Sequence, residues 1–450
     1  MTQRSPADAP EVIVVGGGVA GLSCATKLAE MGRRVLLLEA HGRLGGRAAS
    51  WTDPRVGAEI DNGPHLLAGT YREFFTFFER IGGEASWRHP PRFRVALWSA
   101  SPRRRHVLAW SGRDPFRFGL ALGFARFGAL SPIDSLRAMA VVQAAPKAMQ
   151  TRDHPLANWL TSLGQSEEAK RWLWYPMARA VFNEKPEILS TRIFASVVQR
   201  LLGEDSQSAS LMRPAVGLSR LYAEPAAAYL ASHGTEVRTS WPVERVRLEP
   251  GHLFVEGPKG ALAAPAVCLA VPADTAARLL GPERTAAIAR LSGAAQTDFA
   301  PLTTVHLWYE GAEPGLGESF VGFVDDEFAW AFDQGAVPGR PLRQLALVAP
   351  GSRTLAQLTA PRLVRRARQT LEAHEPAFAG RALHDARVVK EPHAAPSLTP
   401  EAARARPAVD TKIPGLALAG DWVETGLPAT LESAAWSGHL AADTLHRSPR

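Results

Sequence analysis

The chain has little cysteine and no long hydrophobic run. With only Cys24 and Cys268 among 450 residues, a disulfide framework is excluded, and the composition indicates a reducing compartment. No uninterrupted stretch of about 18 apolar residues occurs, so the sequence predicts no membrane span. Residues 2–10 are polar and rich in proline and alanine, without the apolar segment of a signal peptide. We therefore expect a cytoplasmic protein.

Two further absences narrow the classes of function. No second G-x-G-x-x-G motif follows a predicted strand, so a separate nicotinamide domain is not expected. The net charge is +7, but no nucleic-acid-binding motif accompanies it. We expect neither a nucleic-acid partner nor a metal site.

The N-terminal region carries a pattern typical of a dinucleotide-binding βαβ unit. An apolar run precedes Gly16, Gly18 and Gly21, and an apolar helix then leads to a second apolar run that ends at Glu39. Glycines at such a turn let backbone N–H groups approach a diphosphate at the helix N-terminus, and Gly21 permits close packing of helix on strand. A carboxylate at the position of Glu39 accepts hydrogen bonds from an adenosine ribose.

The segment after Glu39 adds anion donors to a bare backbone. Gly45 and Gly46 stand between Arg43 and Arg47. Glycines expose backbone N–H groups, and arginines bind phosphate oxygens in a bidentate manner. This run therefore favours a second contact with a diphosphate.

A matching element lies near the C-terminus. A short apolar strand ends in Gly420 and Asp421, and Pro428, Ala429 and Thr430 precede a helical run. Proline just before such a run is a helix start signal. The free N–H groups of that helix would stabilise negative charge on a bound ligand.

Both ends of the chain resemble the flavin-binding elements of the amine oxidase and phytoene desaturase superfamily. The resemblance implies an α/β fold, with a discontinuous Rossmann-like FAD-binding domain and a mixed α+β substrate domain. It also implies that both terminal motifs contact FAD, that the backbone near Val243 contacts the adenine, and that Gly63 and Pro64 lie beside the flavin ring. No cysteine lies near the C-terminal helix, so the FAD is expected to be noncovalent.

Flavin motifs at opposite ends predict a cofactor domain built from separate stretches of chain. We expect residues 1–80, 211–272 and 385–450 to form the FAD-binding domain. Residues 81–210, expected to be mainly helical, and residues 273–384 would form the substrate-binding domain.

Within the superfamily, the chain most resembles the hydroxysqualene dehydroxylases of hopanoid biosynthesis. Residues 61–65, 174–183, 214–222 and 420–432 carry this resemblance. It implies that a long C30 allylic alcohol loses its hydroxyl group and gains hydride from reduced FAD, giving squalene and water. Two alternatives remain open: a phytoene-type polyene desaturase, and a flavin-binding membrane adaptor without catalytic activity.

The implied reaction needs an acid, because hydroxide is a poor leaving group. His65 and Asp61 are the candidates, although His65 has the alternative of orienting the flavin and Asp61 that of a turn-forming carboxylate. An amine substrate is disfavoured, because the predicted strand 303–309 has no lysine and Leu427 and Pro428 replace the aromatic residues of the amine oxidases. An external electron donor is expected.

Residues 92–137 combine nine arginines with many aromatic and leucine residues. Such a mixture is typical of an amphipathic helix on an anionic bilayer, and an ordinary helical cap with a solvated basic face is the alternative. We therefore expect peripheral contact with the inner face of the cytoplasmic membrane.

Overall fold

The computed structural model describes residues 9–83, 92–111, 116–203 and 210–447, which form mixed helices and sheets. The strands are β1 (Val12–Val15), β2 (Val35–Leu38), β3 (Ser50–Asp53), β4 (Ala58–Asp61), β5 (Leu67–Ala68), β6 (Arg92–Ala100), β7 (Arg103–Ser111), β8 (Leu211–Met212), β9 (Glu236–Arg238), β10 (Arg245–Glu249), β11 (His252–Gly257), β12 (Gly260–Ala264), β13 (Ala266–Leu269), β14 (Phe299–Glu310), β15 (Phe320–Phe323), β16 (Trp330–Ala336), β17 (Leu342–Pro350), β18 (Leu383–Pro396) and β19 (Leu416–Leu418). The α-helices are α1 (Val19–Glu30), α2 (Arg72–Arg80), α3 (Phe116–Arg126), α4 (Pro132–Ala148), α5 (Leu156–Ser162), α6 (Glu167–Ala169), α7 (Tyr175–Phe182), α8 (Thr191–Gly203), α9 (Glu224–Ser232), α10 (Ala273–Ala287), α11 (Leu291–Ala295), α12 (Arg353–Ala356), α13 (Ala360–His374), α14 (Pro400–Arg404) and α15 (Leu431–His446).

A five-stranded parallel sheet, in the order β19-β13-β1-β2-β9, collects strands from distant parts of the chain. Val12 pairs with Val35 on one side and with Ala266 on the other. The strands β1, β2, β13 and β19 are apolar and buried throughout, as both faces of a parallel sheet must be. Because parallel strands end at the same edge, this sheet brings Gly16, Glu39 and Gly420 close together.

A seven-stranded sheet has the order β18-β14-β17-β16-β15-β6-β7. Its neighbours are antiparallel except for β15 and β6, which are parallel with Val321 opposite Ala96. The predicted strand 303–309 lies within β14, which is next to the edge strand β18. The hairpin β6–β7 forms the opposite edge.

The arginine-rich segment begins as this hairpin, so the prediction that it is a helix is wrong for residues 92–111. Phe93, Val95 and Leu97 pack in one core cluster, whereas the positions that alternate with them hold exposed Arg94 and then Ala96 and Trp98 of another cluster. That is the two-residue period of a strand, whereas composition alone had suggested a helix. The expectation of a mainly helical 81–210 fails only for this hairpin, because helices α3 to α8 lie between residues 116 and 203. Arg113 lies outside the described residues.

The first and last described helices pack tightly against each other. A Cβ built at Gly438 of α15 would stand 2.2 Å from the carbonyl oxygen of Ala20 in α1, so only glycine fits at this crossing. The packing brings the N-terminal and C-terminal motifs into one unit. No helix within the described ranges is long and apolar enough to cross a membrane.

Candidate cofactor and substrate cavity

A cavity of about 1350 Å³ lies between the edge of the parallel sheet and one face of the seven-stranded sheet. Pockets for drug-sized ligands usually measure about 300–1000 Å³, so this cavity exceeds the needs of one small molecule. Its wall at the parallel sheet is made of glycine backbone and charged groups, and its wall at the other sheet is largely apolar. We describe these as the polar half and the apolar half of the cavity.

The first glycine loop shapes the polar half. Gly16 has φ +107°, and a Cβ there would lie 2.4 Å from the carbonyl oxygen of Ala270. A Cβ at Gly21 would lie 1.9 Å from the carbonyl oxygen of Gly16, so helix α1 can approach the strand only with glycine at this position. Gly18 lines the cavity, and its nearest neighbour across the gap is Gly46, 3.9 Å from a built Cβ.

The carboxylate of Glu39 joins the first glycine loop to the segment that follows strand β2. Its Oε2 accepts a hydrogen bond from Gly17 N–H at 2.7 Å, and its Oε1 accepts one from His41 N–H at 2.7 Å. Gly45 N–H donates to the carbonyl oxygen of Gly17 at 2.9 Å, which docks the second glycine run on the first. Glu39 and Gly45 both line the cavity.

An ion pair joins the two ends of the chain at the cavity wall. Arg47 Nη2 lies 2.6 Å from Asp421 Oδ1 across 374 residues of sequence, and Arg47 Nη1 donates to the carbonyl oxygen of Ala394. Burial opposes the charge of Arg47, but Asp421 together with Glu391 and Asp274 outweighs burial and raises the pKa of the guanidinium. Arg43 also lines the cavity and lies over the ring of Trp51, 4.9 Å from its centroid.

The start of α15 closes the polar half. Pro428, Ala429 and Thr430 line the cavity, and the Thr430 hydroxyl caps the helix by accepting a hydrogen bond from Ser433 N–H. Val243, whose backbone is expected from the resemblance to contact the adenine, also lines the cavity. Cys24 and Cys268 are buried in the parallel-sheet unit. Within the described residues, neither of them lines the cavity.

Glu432 caps a second helix, a role that sequence reasoning missed. Its carboxylate accepts backbone hydrogen bonds from Arg72, Glu73 and Phe74 at the start of α2, at 2.8–3.1 Å. The helix has no side-chain cap of its own at Tyr71. Burial raises the pKa of Glu432, although these N–H groups favour the ionised form. Glu432 thus fixes α2 against the first turn of α15.

Asp61 lies behind the cavity wall. The Ser50 hydroxyl donates to Asp61 Oδ1 at 2.5 Å, and Leu218 N–H donates to the same oxygen at 3.3 Å. Burial raises the pKa of Asp61. Within the described residues the cavity wall includes Asn62, Gly63 and His65 but not Asp61. This placement corrects the expectation that Asp61 donates a proton to substrate directly.

The ring of His65 is oriented by its own loop. Nδ1 lies 2.5 Å from the carbonyl oxygen of Gly63. Because a carbonyl oxygen only accepts hydrogen bonds, Nδ1 carries the proton, and Nε2 is the ring atom left for chemistry in the cavity. Burial lowers the pKa of His65, and the carboxylate of Asp61 acts in the opposite direction.

A second histidine supports this loop from strand β14. His306 is fully buried, and its Nε2 donates to the carbonyl oxygen of Asp61 at 3.1 Å. Burial lowers the pKa of His306 to about 4, so the ring is neutral near pH 7. Leu302 is the residue of β14 that lines the cavity, and a Cβ at Gly63 would lie 2.6 Å from its side chain. Leucine therefore stands at the strand position that faces Gly63.

The apolar half crosses the seven-stranded sheet from β14 to the hairpin. Adjacent strands are about 4.8 Å apart, so the five steps from β14 to β7 span roughly 24 Å. Sequence reasoning missed this wall because the parallel pairing of β6 with β15 joins residues more than 200 positions apart. Side chains of the sheet that line it are Phe93, Val95, Leu97, Leu108, Leu302, Trp330, Phe332 and Val348, and helices α7 and α8 face them with Met177, Val181, Val197 and Leu201.

Glu391 and Arg179 are among the polar residues of the cavity wall that sequence reasoning missed. Glu391 accepts a hydrogen bond from Asn62 Nδ2 at 3.3 Å and lies on β18 beside the polar half. Arg179 donates to the carbonyl oxygens of Asp326 and Glu327 at 2.6 and 2.9 Å. The guanidinium of Arg179 is thereby occupied by the protein backbone.

The chain is similar to flavoproteins over almost its whole length. Residues 19–446 match the family model described as flavin containing amine oxidoreductase. Hydroxysqualene dehydroxylases from Zymomonas mobilis and Rhodopseudomonas palustris are 26% and 29% identical, and each alignment covers 96% of this chain and 97% of the relative. The 15-cis-phytoene desaturase of Narcissus pseudonarcissus is 23% identical over 97% of this chain and 79% of its own length.

Solved structures share this fold. Cyclohexylamine oxidase from Brevibacterium oxydans superimposes with a TM-score of 0.70 at 19% identity, covering 97% of this chain and 98% of that one. The polar half fits an FAD: glycine backbone and a helix N-terminus suit the diphosphate, and Glu39 suits a ribose.

Proposed function

The chain belongs to the family of flavin-containing amine oxidoreductases and is an FAD-dependent oxidoreductase, and from that premise we propose that it reduces hydroxysqualene to squalene. One observation carries the proposal. The polar half of the cavity continues into an apolar half that spans roughly 24 Å of the sheet. The hydroxysqualene dehydroxylase relatives support the same reaction.

The length of the apolar half suits a linear C30 isoprenoid. An extended polypeptide advances about 3.3–3.6 Å per residue of three backbone bonds, or about 1.2 Å per bond. Roughly 24 Å therefore accommodates about twenty of the roughly 23 main-chain bonds of a linear C30 isoprenoid. Two arginines of α7 and α8 line the cavity here: Arg179 donates to backbone carbonyl oxygens, and Arg200 lies over the ring of Trp436. The rest of this wall is largely apolar and favours a hydrocarbon chain.

His65 supplies the proton in the proposed mechanism. When bound and reduced, FAD supplies the hydride that forms the new C–H bond. The imidazolium of His65 donates its Nε2 proton to the leaving hydroxyl, so the C–O bond breaks and water departs. Asp61 and the carbonyl oxygen of Gly63 stabilise the charged ring, and the apolar wall excludes other water.

The direction of the pKa shift gives a pH dependence. As an acid, His65 must be protonated, and its pKa lies below the ordinary value of 6.5. The reductive rate should therefore rise as the pH falls below 6.5 and stay low above it. A desaturase that uses neutral His65 as a base would show the opposite profile.

The second candidate is a phytoene-type desaturase, which the similarity to 15-cis-phytoene desaturase favours. Neutral His65 would then accept a proton while the flavin is reduced by the substrate. In the reductive direction, by contrast, the flavin requires electrons from outside. We propose an external reductase as their source.

The two candidates are separated by one anaerobic experiment. Reduced holoenzyme is mixed with hydroxysqualene, the oxidised flavin band is followed, and the lipid is extracted. Reoxidation with an equal amount of squalene supports the dehydroxylase. Reduction of oxidised enzyme by a polyene precursor, with no response of reduced enzyme to the alcohol, would instead establish the desaturase.

We also propose that the protein contacts a membrane through a patch on helices α3 and α4. Phe118, Ile133 and Leu136 are 60–75% exposed, and Arg126 and Arg137 are exposed beside them. Helix α3 lies on the hairpin, since a Cβ at Gly123 would be 3.1 Å from the carbonyl oxygen of Ala109. The patch thus adjoins the apolar half of the cavity. A lipid-soluble substrate would enter the cavity from the membrane at this patch.

A further inference from the structure

Arg406 is a buried cation directly behind the C-terminal flavin loop. It is 2% exposed. Its guanidinium donates to the carbonyl oxygens of Asp421, Val423 and Leu427 and lies 3.4–3.5 Å from the hydroxyls of Thr425 and Ser433. Within the described part of the chain, these hydrogen-bond partners are carbonyl and hydroxyl oxygens rather than carboxylates.

The carboxylates of Asp421 and Glu424, whose charges act on Arg406, already have hydrogen-bond partners. Asp421 Oδ1 binds Arg47 at 2.6 Å on the cavity side of the loop. Glu424 is partly exposed and accepts a hydrogen bond from Gly426 N–H at 2.6 Å. A buried charge without a direct counter-ion is costly, and its hydrogen bonds to loop oxygens offset part of that cost. This cost suggests that the charge has a function at the site.

The loop that Arg406 holds is part of the cavity wall. Asp421, Leu427 and Pro428 line the cavity, and Arg406 bonds directly to the backbone of the first two. The N-terminus of α15, with its partial positive charge, begins three residues later at Leu431. Two sources of positive potential therefore stand behind the same wall.

We propose that Arg406 is a positioning residue of the flavin site that fixes loop 421–428 and whose buried charge favours the anionic reduced flavin. A positive charge in a water-excluded wall interacts strongly with charge that develops nearby. The midpoint potential of the bound flavin is consequently raised. The inference rests on the FAD cofactor alone and holds for either direction of the reaction.

Three variants of the full chain test this role. Arg406→Met removes the charge, Arg406→Lys keeps it with fewer donors, and Arg33→Met removes a buried arginine that bonds to the carbonyl oxygen of His446, away from the cavity. We expect Arg406→Met to weaken FAD binding about tenfold or more and to lower the midpoint potential. Arg406→Lys should also bind FAD less tightly but keep the potential, and Arg33→Met should change neither.

The midpoint potential of each FAD-loaded variant, measured by anaerobic dye equilibration, decides the outcome. An unchanged potential in Arg406→Met would overturn the electrostatic role, and an equal fall in Arg406→Lys would assign the effect to loop geometry. If Arg406→Met fails to fold, Arg406→Gln carries the same expectation because it is neutral and retains two N–H donors.

Discussion

The two halves of the cavity are held in shape by different forces. In the polar half, Glu39 and the Arg47–Asp421 pair fix the backbone through hydrogen bonds at 2.6–2.7 Å. In the apolar half, Leu97, Leu108 and their neighbours contact each other by packing alone. Charged hydrogen bonds demand one geometry, whereas packed apolar walls tolerate changes that keep volume. We therefore expect the polar half to determine FAD binding and the apolar half to determine which chain is accepted.

The largest expected effect lies at the boundary between the halves. His65→Ala should slow reoxidation of reduced enzyme by hydroxysqualene about 10²–10⁴-fold, the usual contribution of a general acid. FAD affinity should change little, because the protein loses a proton donor and not a flavin anchor. Stopped-flow absorbance measures the rate, and flavin titration measures the affinity.

His393→Ala is the matched control for this prediction. His393 also lines the cavity, but its ring stacks on Phe299 at 4.5 Å between centroids. The control variant should retain most of the rate. Equal losses in both variants would show that His65 acts only by filling space.

A smaller effect should follow a change confined to the polar half. Glu39→Ala removes the acceptor for Gly17 N–H and His41 N–H. It should weaken FAD binding by about 1–3 kcal/mol, or about five- to 150-fold. Glu39→Gln keeps one acceptor oxygen and should lose less. Isothermal titration of apoprotein with FAD compares them, and wild-type affinity in Glu39→Ala would contradict the assigned role.

The smallest expected effect concerns the surface beside the apolar half. Replacing Phe118 and Leu136 with serine should weaken binding to anionic vesicles by up to about tenfold, because both apolar side chains are lost from the patch. Arg103→Ser with Arg104→Ser, on the hairpin, is the control and should change binding less. Binding should fall with salt, since Arg126 and Arg137 lie beside the patch.

Vesicle co-sedimentation measures these affinities. If the hairpin variant loses as much binding as the Phe118 and Leu136 variant, the contact surface includes the hairpin and is not confined to the patch on α3 and α4. If neither variant changes it, the patch on α3 and α4 is not the contact surface.

The polar half was largely predictable because its constraints are local. The glycines Gly16, Gly18 and Gly21 are required by a single turn, and that requirement is visible within ten residues of sequence. The ion pair between Arg47 and Asp421 spans 374 residues, yet each partner sits in its own recognisable motif. Motifs at both ends thus predicted one site without knowledge of the contacts between them.

The apolar half could not be predicted because nothing local marks it. Its far wall depends on a parallel pairing of β6 with β15, and the sequence offers no spacing rule for such a pair. The same holds for His306, whose neutral state follows from burial against the loop of Asp61. Asp61 was a reasonable acid by type, but only three-dimensional packing places it behind the wall.

A larger side chain at the far end of the apolar half tests most directly whether the substrate spans the cavity. Leu108 lines the cavity on β7, whereas Val107 is partly exposed and, by strand alternation, points away. Leu108→Trp should lower kcat/KM for hydroxysqualene about tenfold or more by overfilling the cavity. It should spare a C15 allylic alcohol of the same head group, and Val107→Trp should spare both. Equal rates for both alcohols in Leu108→Trp, whether lowered or unchanged, would contradict a substrate that spans the cavity.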